Sequence, residues 1–177
     1  MRTIIVNGLA LTLVTAIALA KQPAPKPVAQ PAPQSSEKPT NLFMSASQIN
    51  DLIEKAKSER KPNQANVLEP ILELGGYDGH LEYRASVGNA TVHETEAELF
   101  YVIDGSATLT TGGKLVNETR TDAANLNGSA IEGGTKRNIA KGDWILVPQN
   151  TPHFFSPING VIVLYSMHMP GEFTPKH

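Results

Sequence analysis

Three side chains in this sequence could together hold a divalent metal ion. His93 and Glu98 lie in one stretch, V-H-E-T-E-A-E-L-F-Y-V-I-D-G, at residues 92–105. His153 ends a second stretch, G-D-W-I-L-V-P-Q-N-T-P-H, at residues 142–153. Two imidazoles and one carboxylate form a ligand set that leaves coordination positions open for a substrate. The chain has no cysteine, which excludes thiolate ligands, thiolate nucleophiles and disulfide bonds.

Short β-strands separated by turn signals must position these residues. From Val67 onward, runs of β-forming residues alternate with Gly, Asn and Asp clusters, as in a sandwich or barrel. The pair Asp104-Gly105 predicts a tight hairpin turn, and residues 114–129, which have no clear period, predict a long surface loop. Strands are predicted at residues 67–74, 80–87, 90–95, 98–103, 107–111, 130–132, 136–140, 144–148, 153–156 and 161–169.

One amphipathic helix is predicted before the strands, over residues 47–60. Apolar residues recur there at helical spacing and form a single stripe that ends at Ala56. Ser45 and Gln48 offer a capping box, although Ser47 could serve as the N-cap instead. We expect this helix to pack on the outside of the β-domain.

The N-terminal region carries targeting and linker signals. Residues 1–20 combine Arg2 with a long apolar run that ends in Ala-Leu-Ala, which predicts a signal peptide cleaved after Ala20 and a periplasmic or secreted protein. An uncleaved membrane anchor is the alternative. We divide the rest into a proline-rich linker at 21–41, a helical segment at 42–66, a barrel at 67–170 and a tail at 171–177. A net charge of −2 gives no sign of a nucleic-acid partner.

The first stretch resembles the first motif of the cupin superfamily. Residues 91–93, T-V-H, occupy the place of that motif's His-x-His, and Glu98 and Gly105 follow at matching spacings. Gly88 lies two residues short of the place of the leading glycine, so that end matches loosely.

The second stretch resembles the second cupin motif. Gly142, Pro148 and His153 stand at matching spacings, whereas Asn150 replaces a glycine and Pro157 replaces an asparagine. The resemblance covers roughly residues 81–169. It implies an all-β fold, a cupin jelly-roll β-barrel, here with one N-terminal amphipathic helix.

The resemblance also implies a metal site. Cupins commonly hold their metal with three histidines and one glutamate; here His93, Glu98 and His153 match, and Thr91 stands at the place of the first histidine. We therefore predict a divalent metal ion, Mn, Fe, Ni or Zn, bound by those three residues. A barrel that has lost its metal is the alternative. Glu96 could replace Glu98 if the turn is shifted.

Further residues and the function itself are less constrained. Tyr83 is the candidate acid/base residue, and Tyr101 should face away from the cavity if Glu98 faces in. His80 and His168 lack obvious partners. His168, on the last strand, could reach the rim of the pocket, but we expect it to be a core histidine. The resemblance implies a metal-dependent enzyme that acts on a small organic molecule (dioxygenase, decarboxylase, lyase or isomerase). A metal-free, non-catalytic binding or sensing protein is the alternative, a purely structural module is a third, and a homodimer is possible.

Overall fold

The computed structural model describes residues 41–74 and 77–170. Antiparallel β-strands and a single N-terminal helix make up this part of the chain, which confirms the predicted all-β jelly-roll class. The elements are α1 (Ala46–Glu59), β1 (Asn66–Leu74), β2 (Tyr77–Arg84), β3 (Ala90–His93), β4 (Glu96–Thr111), β5 (Lys114–Val116), β6 (Thr119–Arg120), β7 (Asn125–Gly128), β8 (Ala130–Glu132), β9 (Thr135–Ala140), β10 (Trp144–Val147) and β11 (His153–Pro170).

Nine of the strands form one antiparallel sheet. Its hydrogen-bonded order is β1-β2-β11-β3-β7-β6, and β4 pairs with β9, β10 and β11. Strands β5 and β8 form a separate two-stranded sheet. The large sheet therefore connects every strand that carries a candidate site residue.

The two longest strands, β4 and β11, form a ribbon that curls back toward its own beginning. At one end of the ribbon His168 pairs with Glu98, and at the other His153 pairs with Thr111. A straight strand from residue 98 to residue 111 would span about 40 Å. The His153 imidazole nevertheless lies 3.2 Å from the Glu98 carboxylate. Irregularities in the pairing at three places along the ribbon accompany this curvature.

Apolar side chains fill both faces of the large sheet. The inner face carries a buried cluster from β4, β9, β10 and β11, which includes Phe100, Val102 and Leu164. On the outer face, helix α1 packs through Ala56 on β1, β2 and β11. Burial on both faces explains why residues 161–169 of β11 are almost continuously hydrophobic.

The helix begins as the sequence predicts. Ser45 is the N-cap, and its side chain and that of Gln48 form the reciprocal capping box. Because Ser45 takes this position, the alternative N-cap at Ser47 is wrong. The helix spans Ala46–Glu59, within one residue of the predicted bounds at both ends.

The hairpin predicted at Asp104-Gly105 is wrong, because β4 runs through these residues without a break. Gly105 has a positive φ of 82° and sits at an irregularity of the pairing with β11. A side chain there would collide with the Val161 carbonyl oxygen. The glycine therefore permits a bulge in a continuous strand, which uses the same residue types as a turn.

Two other predictions of strand and loop are also wrong. Residues 114–129 contain β5, β6 and β7 rather than a single loop, and β11 unites two predicted strands. Strands of two to four residues are too short to show a period, which explains the first error.

The predicted signal peptide, most of the proline-rich linker and the tail at 171–177 lie outside the described residues. Among the residues described, no helix has the length and apolar character needed to span a membrane.

Candidate metal centre

A single buried carboxylate, Glu98, lies at the centre of the candidate site. It stands near the start of β4, on the inner face that it shares with Phe100 and Val102, and its residue exposure is 3 %. Strand alternation explains this position, because residues two apart on a strand face the same side. Burial of a carboxylate is unfavourable unless charged or hydrogen-bonding partners compensate for the lost water.

Three imidazoles surround this carboxylate. The Nε2 atoms of His153 and His93 lie 3.2 Å and 3.3 Å from Glu98 Oε2, and His168 Nε2 lies 3.4 Å from Glu98 Oε1. The three histidines come from β3 and from the two ends of β11, so only the folded barrel brings them together. The structure thus unites the three residues selected from the sequence and adds His168.

The spacing of these atoms suits a transition metal. His93, Glu98 and His168 each offer a ligand atom within 4.8 Å of the other two. Ligand atoms bound about 2.1 Å from a tetrahedral zinc ion lie about 3.4 Å from one another, close to the nitrogen–oxygen distances observed. His153 touches Glu98 but falls outside that group of three, so a metal held by all four residues would need a small adjustment of the side chains.

The Glu98 carboxylate is not fully satisfied by its neighbours. Its Oε2 atom is buried and makes no hydrogen bond of good geometry within the described part of the chain, although two imidazole nitrogens lie at ion-pair distance. Burial by itself raises the pKa of Glu98, but interaction with His153 and His93 outweighs burial and holds the pKa well below its usual range. The carboxylate is therefore anionic and open to a cation.

His93 responds to the same carboxylate. Burial lowers its pKa, yet the nearby Glu98 carboxylate and the Asn125 side chain favour the protonated ring, and the net effect is a raised pKa. Its other ring nitrogen, Nδ1, lies 2.6 Å from Asn125 Oδ1. A proton or a metal ion on Nε2 would equally relieve the contact between the ring and Glu98.

The site opens into a polar cavity of about 370 Å³. Imidazoles, carboxylates and an amide line it, a composition that suits a small polar molecule rather than an apolar one. The lining residues are Asp78, His80, His93, Glu96, Asn125 and His168.

His168 is the site residue that the sequence-based ligand set left out, and its expected role as a core histidine is wrong. Its side chain is 32 % exposed and reaches both Glu98 and Glu96, with Nδ1 3.1 Å from Glu96 Oε2. His168 lies on the same face as the buried Ser166, two residues away, and it reaches Glu98 through the pairing of β11 with β4. Glu96 is 48 % exposed and touches the centre only through His168.

Tyr83, the candidate acid/base residue, lies elsewhere. It belongs to the outer cluster beneath helix α1, together with Leu81 and Val163. The inward positions of β2 are taken by Glu82 and Arg84, whose guanidinium lies 4.5 Å above the ring of Phe155 in the inner cluster. Because Glu82 and Arg84 form an ion pair on the inner face, Tyr83 between them faces outward. The assignment of Tyr83 to the pocket is therefore wrong.

Two other expectations concern orientation. Tyr101 faces away from Glu98, as predicted, and its ring lies 4.6 Å from that of Trp144 on the outer face. Thr91 is half-buried and pairs with His153 across the sheet. That Thr91 stands at the place of the first histidine of the cupin motif stays a prediction.

Comparison with known proteins gives similarity at the level of overall structure only. No family model matches the chain, and no curated protein matches its sequence.

Solved structures give partial matches. Iron(II) HppE in complex with its substrate matches with a TM-score of 0.46 at 13 % identity, over 62 % of this chain and 53 % of the other. A proposed sugar phosphate isomerase from Acidithiobacillus ferrooxidans matches with a TM-score of 0.46 at 19 % identity, over 72 % and 74 %. A proposed mannose-6-phosphate isomerase from Ralstonia eutropha matches with a TM-score of 0.43 at 18 % identity, over 62 % and 87 %. The chain thus spans about half the length of HppE.

Proposed function

We propose that this protein is a small cupin-like barrel that binds one divalent transition metal and uses it to bind or transform a small polar organic molecule. The observation that supports it is the convergence of three imidazoles on one buried carboxylate whose Oε2 atom lacks a good hydrogen bond. Nitrogen and oxygen donors of this kind suit Mn, Fe, Ni or Zn.

The residues divide the work between metal and substrate. His93, Glu98 and His168, with His153 beside them, would hold the metal, which would act as a Lewis acid and orient a substrate oxygen. Asp78, His80 and Glu96 line the open cavity and offer hydrogen-bonding groups to the substrate. Phe100 and Phe155 lie behind His153, with ring centroids at 5.9 Å and 6.5 Å, and exclude water from the inner side of the site.

A metal-free binding protein is the second candidate, and the charge pattern favours it. The pKa of Glu98 is lowered and that of His93 is raised, so a proton on the imidazole can neutralise the buried carboxylate without a metal. In this case the same cavity would bind its ligand by hydrogen bonds alone.

Metal content separates the two candidates. The purified protein should first be freed of metal with a chelator and then incubated with Mn, Fe, Ni or Zn. After dialysis it should retain close to one equivalent of at least one of these metals. His93→Ala should retain much less, because it removes a ligand nitrogen. The control Asn138→Ala removes an exposed side chain on β9 that bonds to Thr108, and it should behave like the wild type. A wild-type protein that retains none of the four metals would contradict the metal proposal and support the second candidate.

We also propose that the protein is exported from the cytoplasm. The apolar segment at residues 1–20 supports a periplasmic or secreted location with cleavage after Ala20. N-terminal sequencing of the mature protein should begin at Lys21, and an intact Met1 on the membrane-bound protein would instead support the anchor.

A further inference from the structure

We propose that Asn125 and Asp122, in and beside strand β7, are positioning residues that fix which nitrogen of His93 faces the metal. This proposal rests on the metal-binding function above and extends it to residues that belong to the stretch predicted as a surface loop. It concerns a chain of three side chains, Asp122, Asn125 and His93, held together by short hydrogen bonds.

The orientation of the Asn125 amide follows from Asp122. The Asn125 Nδ2 atom lies 2.9 Å from both carboxylate oxygens of Asp122. An ionised carboxylate only accepts hydrogen bonds, so the NH₂ end of the amide must face Asp122. The backbone N–H of Ala124 also donates to Asp122 Oδ1, at 2.8 Å, which fixes the carboxylate in turn.

The tautomer of His93 follows from Asn125. With its NH₂ group turned toward Asp122, Asn125 presents its oxygen to His93, 2.6 Å from Nδ1. A carbonyl oxygen can only accept, so His93 Nδ1 must carry a proton. In the neutral ring the lone pair is then on Nε2, the atom that faces Glu98 at 3.3 Å. Histidine ligands of metals commonly donate their second ring N–H in this way, and such partners contribute substantially to metal affinity.

The loop that carries Asp122 is itself fastened next to His93. Arg120 makes a bidentate ion pair with Glu94, at 2.7 Å and 3.0 Å, and Glu94 directly follows His93. The same guanidinium donates to the backbone carbonyls of Asp122 and Ala123. The backbone N–H of Glu94 donates to the Ala124 carbonyl at 2.8 Å. These contacts hold the three-residue chain in register without occupying any atom of the metal site.

Variants of Asn125 and Asp122 test this inference. Asn125→Ala should weaken binding of the metal alone, measured by titration with Zn²⁺ or Mn²⁺, by about 10- to 100-fold. The exchanged pair Asn125→Asp with Asp122→Asn preserves both hydrogen bonds, because the carboxylate introduced at position 125 would accept from His93 and from the amide introduced at position 122. It should therefore recover most of the lost affinity, whereas the control Asn138→Ala should not change it.

A spectroscopic readout on the metal-free protein makes the test independent of metal binding. In ¹⁵N spectra recorded at alkaline pH, where the ring is neutral, wild-type His93 should show the Nδ1–H tautomer, and Asn125→Ala should distribute the proton over both nitrogens. Nε2–H in the wild type, or unchanged metal affinity in Asn125→Ala, would overturn the inference. A wild type that shows the Nδ1–H tautomer but binds no metal would support the positioning role and contradict the proposed function.

Discussion

Two regions of the barrel interior each bury a glutamate, and they satisfy it in opposite ways. Glu82 is 3 % exposed and pairs with Arg84, whose nitrogens lie 2.6 Å from its Oε2. Glu98 is equally buried, but within the described residues its ionisable partners are imidazoles, at 3.2 Å to 3.4 Å. An arginine is always charged, whereas an imidazole can release its proton to make room for a metal. Glu82 therefore has a permanent cation, whereas at Glu98 a metal ion can replace the proton of an imidazole.

A third buried glutamate supports this interpretation. Glu69, 7 % exposed, accepts a 2.7 Å hydrogen bond from Lys55 of the covering helix. It too has a permanent cation, although Lys55 is half-exposed. Among the buried glutamates of the described chain, Glu98 alone has imidazoles as its partners in place of a lysine or an arginine.

The largest expected effect would break the structural pair. Arg84→Met leaves Glu82 buried with no cation and should lower the free energy of unfolding by about 3–5 kcal/mol. Urea denaturation of the metal-free protein measures this loss. The double variant Arg84→Met with Glu82→Gln should recover part of it, because no unpaired charge is left. A loss below about 1 kcal/mol would show that the pair behaves like an exposed one.

The second-largest effect is expected from removal of the Glu98 carboxylate. Glu98→Ala should weaken metal binding by more than about 100-fold, since loss of a ligand should exceed the loss of a partner behind a ligand. Glu96→Ala serves as the matched comparison and should weaken binding much less, because Glu96 lies against the far ring nitrogen of His168, Nδ1, and not against Glu98. Metal titration of both variants measures the order. The reverse order would assign the ligand role to Glu96.

The third effect is expected from an imidazole added at position 91. If Thr91 stands where a ligand is absent, Thr91→His should tighten metal binding by about tenfold or more, because it supplies another nitrogen donor. Thr91→Val, of similar shape and without a donor nitrogen, is the control and should not tighten it. Unchanged affinity in Thr91→His would mean that residue 91 does not face the metal.

The smallest expected effect concerns pH in the metal-free protein. The lowered pKa of Glu98 means that its contribution to stability is present above its usual pKa of 4.5 and is lost as the pH falls. The raised pKa of His93 means that its contribution is present below its usual pKa of 6.5 and is lost as the pH rises through the raised value. The stability difference between wild type and His93→Gln should therefore be greatest from pH 4.5 to 6.5. A difference that grows above pH 6.5 would contradict this sign.

The sequence predicted the architecture better than the details of the site. Period-two alternation predicted that Tyr101 faces away from Glu98, and the apolar stripe placed α1 on the outside, because both signals are local. The Tyr83 error had a different origin. Glu82 and Arg84 turn inward as a pair, and a pair that neutralises itself across one intervening residue has no hydrophobic signature.

The contributions of His168 and Asn125 depend on contacts between distant parts of the chain. His168 reaches Glu98 because their strands pair in a register that no local pattern specifies. Asn125 reaches His93 through the pairing of β3 with β7, and β7 lies in a segment without detectable period. Such partners can be found only after the strands have been aligned.

Because the ribbon of β4 and β11 curls back on itself, the candidate metal centre lies where the barrel closes. Its ligands come from β3, from both ends of β11 and from the start of β4, so they meet only when the barrel closes. Contacts this distant in sequence form late and slowly during folding. A metal bound here would cross-link the two ends of the ribbon and would stabilise the folded chain, because its ligands are together only in the folded state. Thermal unfolding should therefore occur at a higher temperature with the metal than without it.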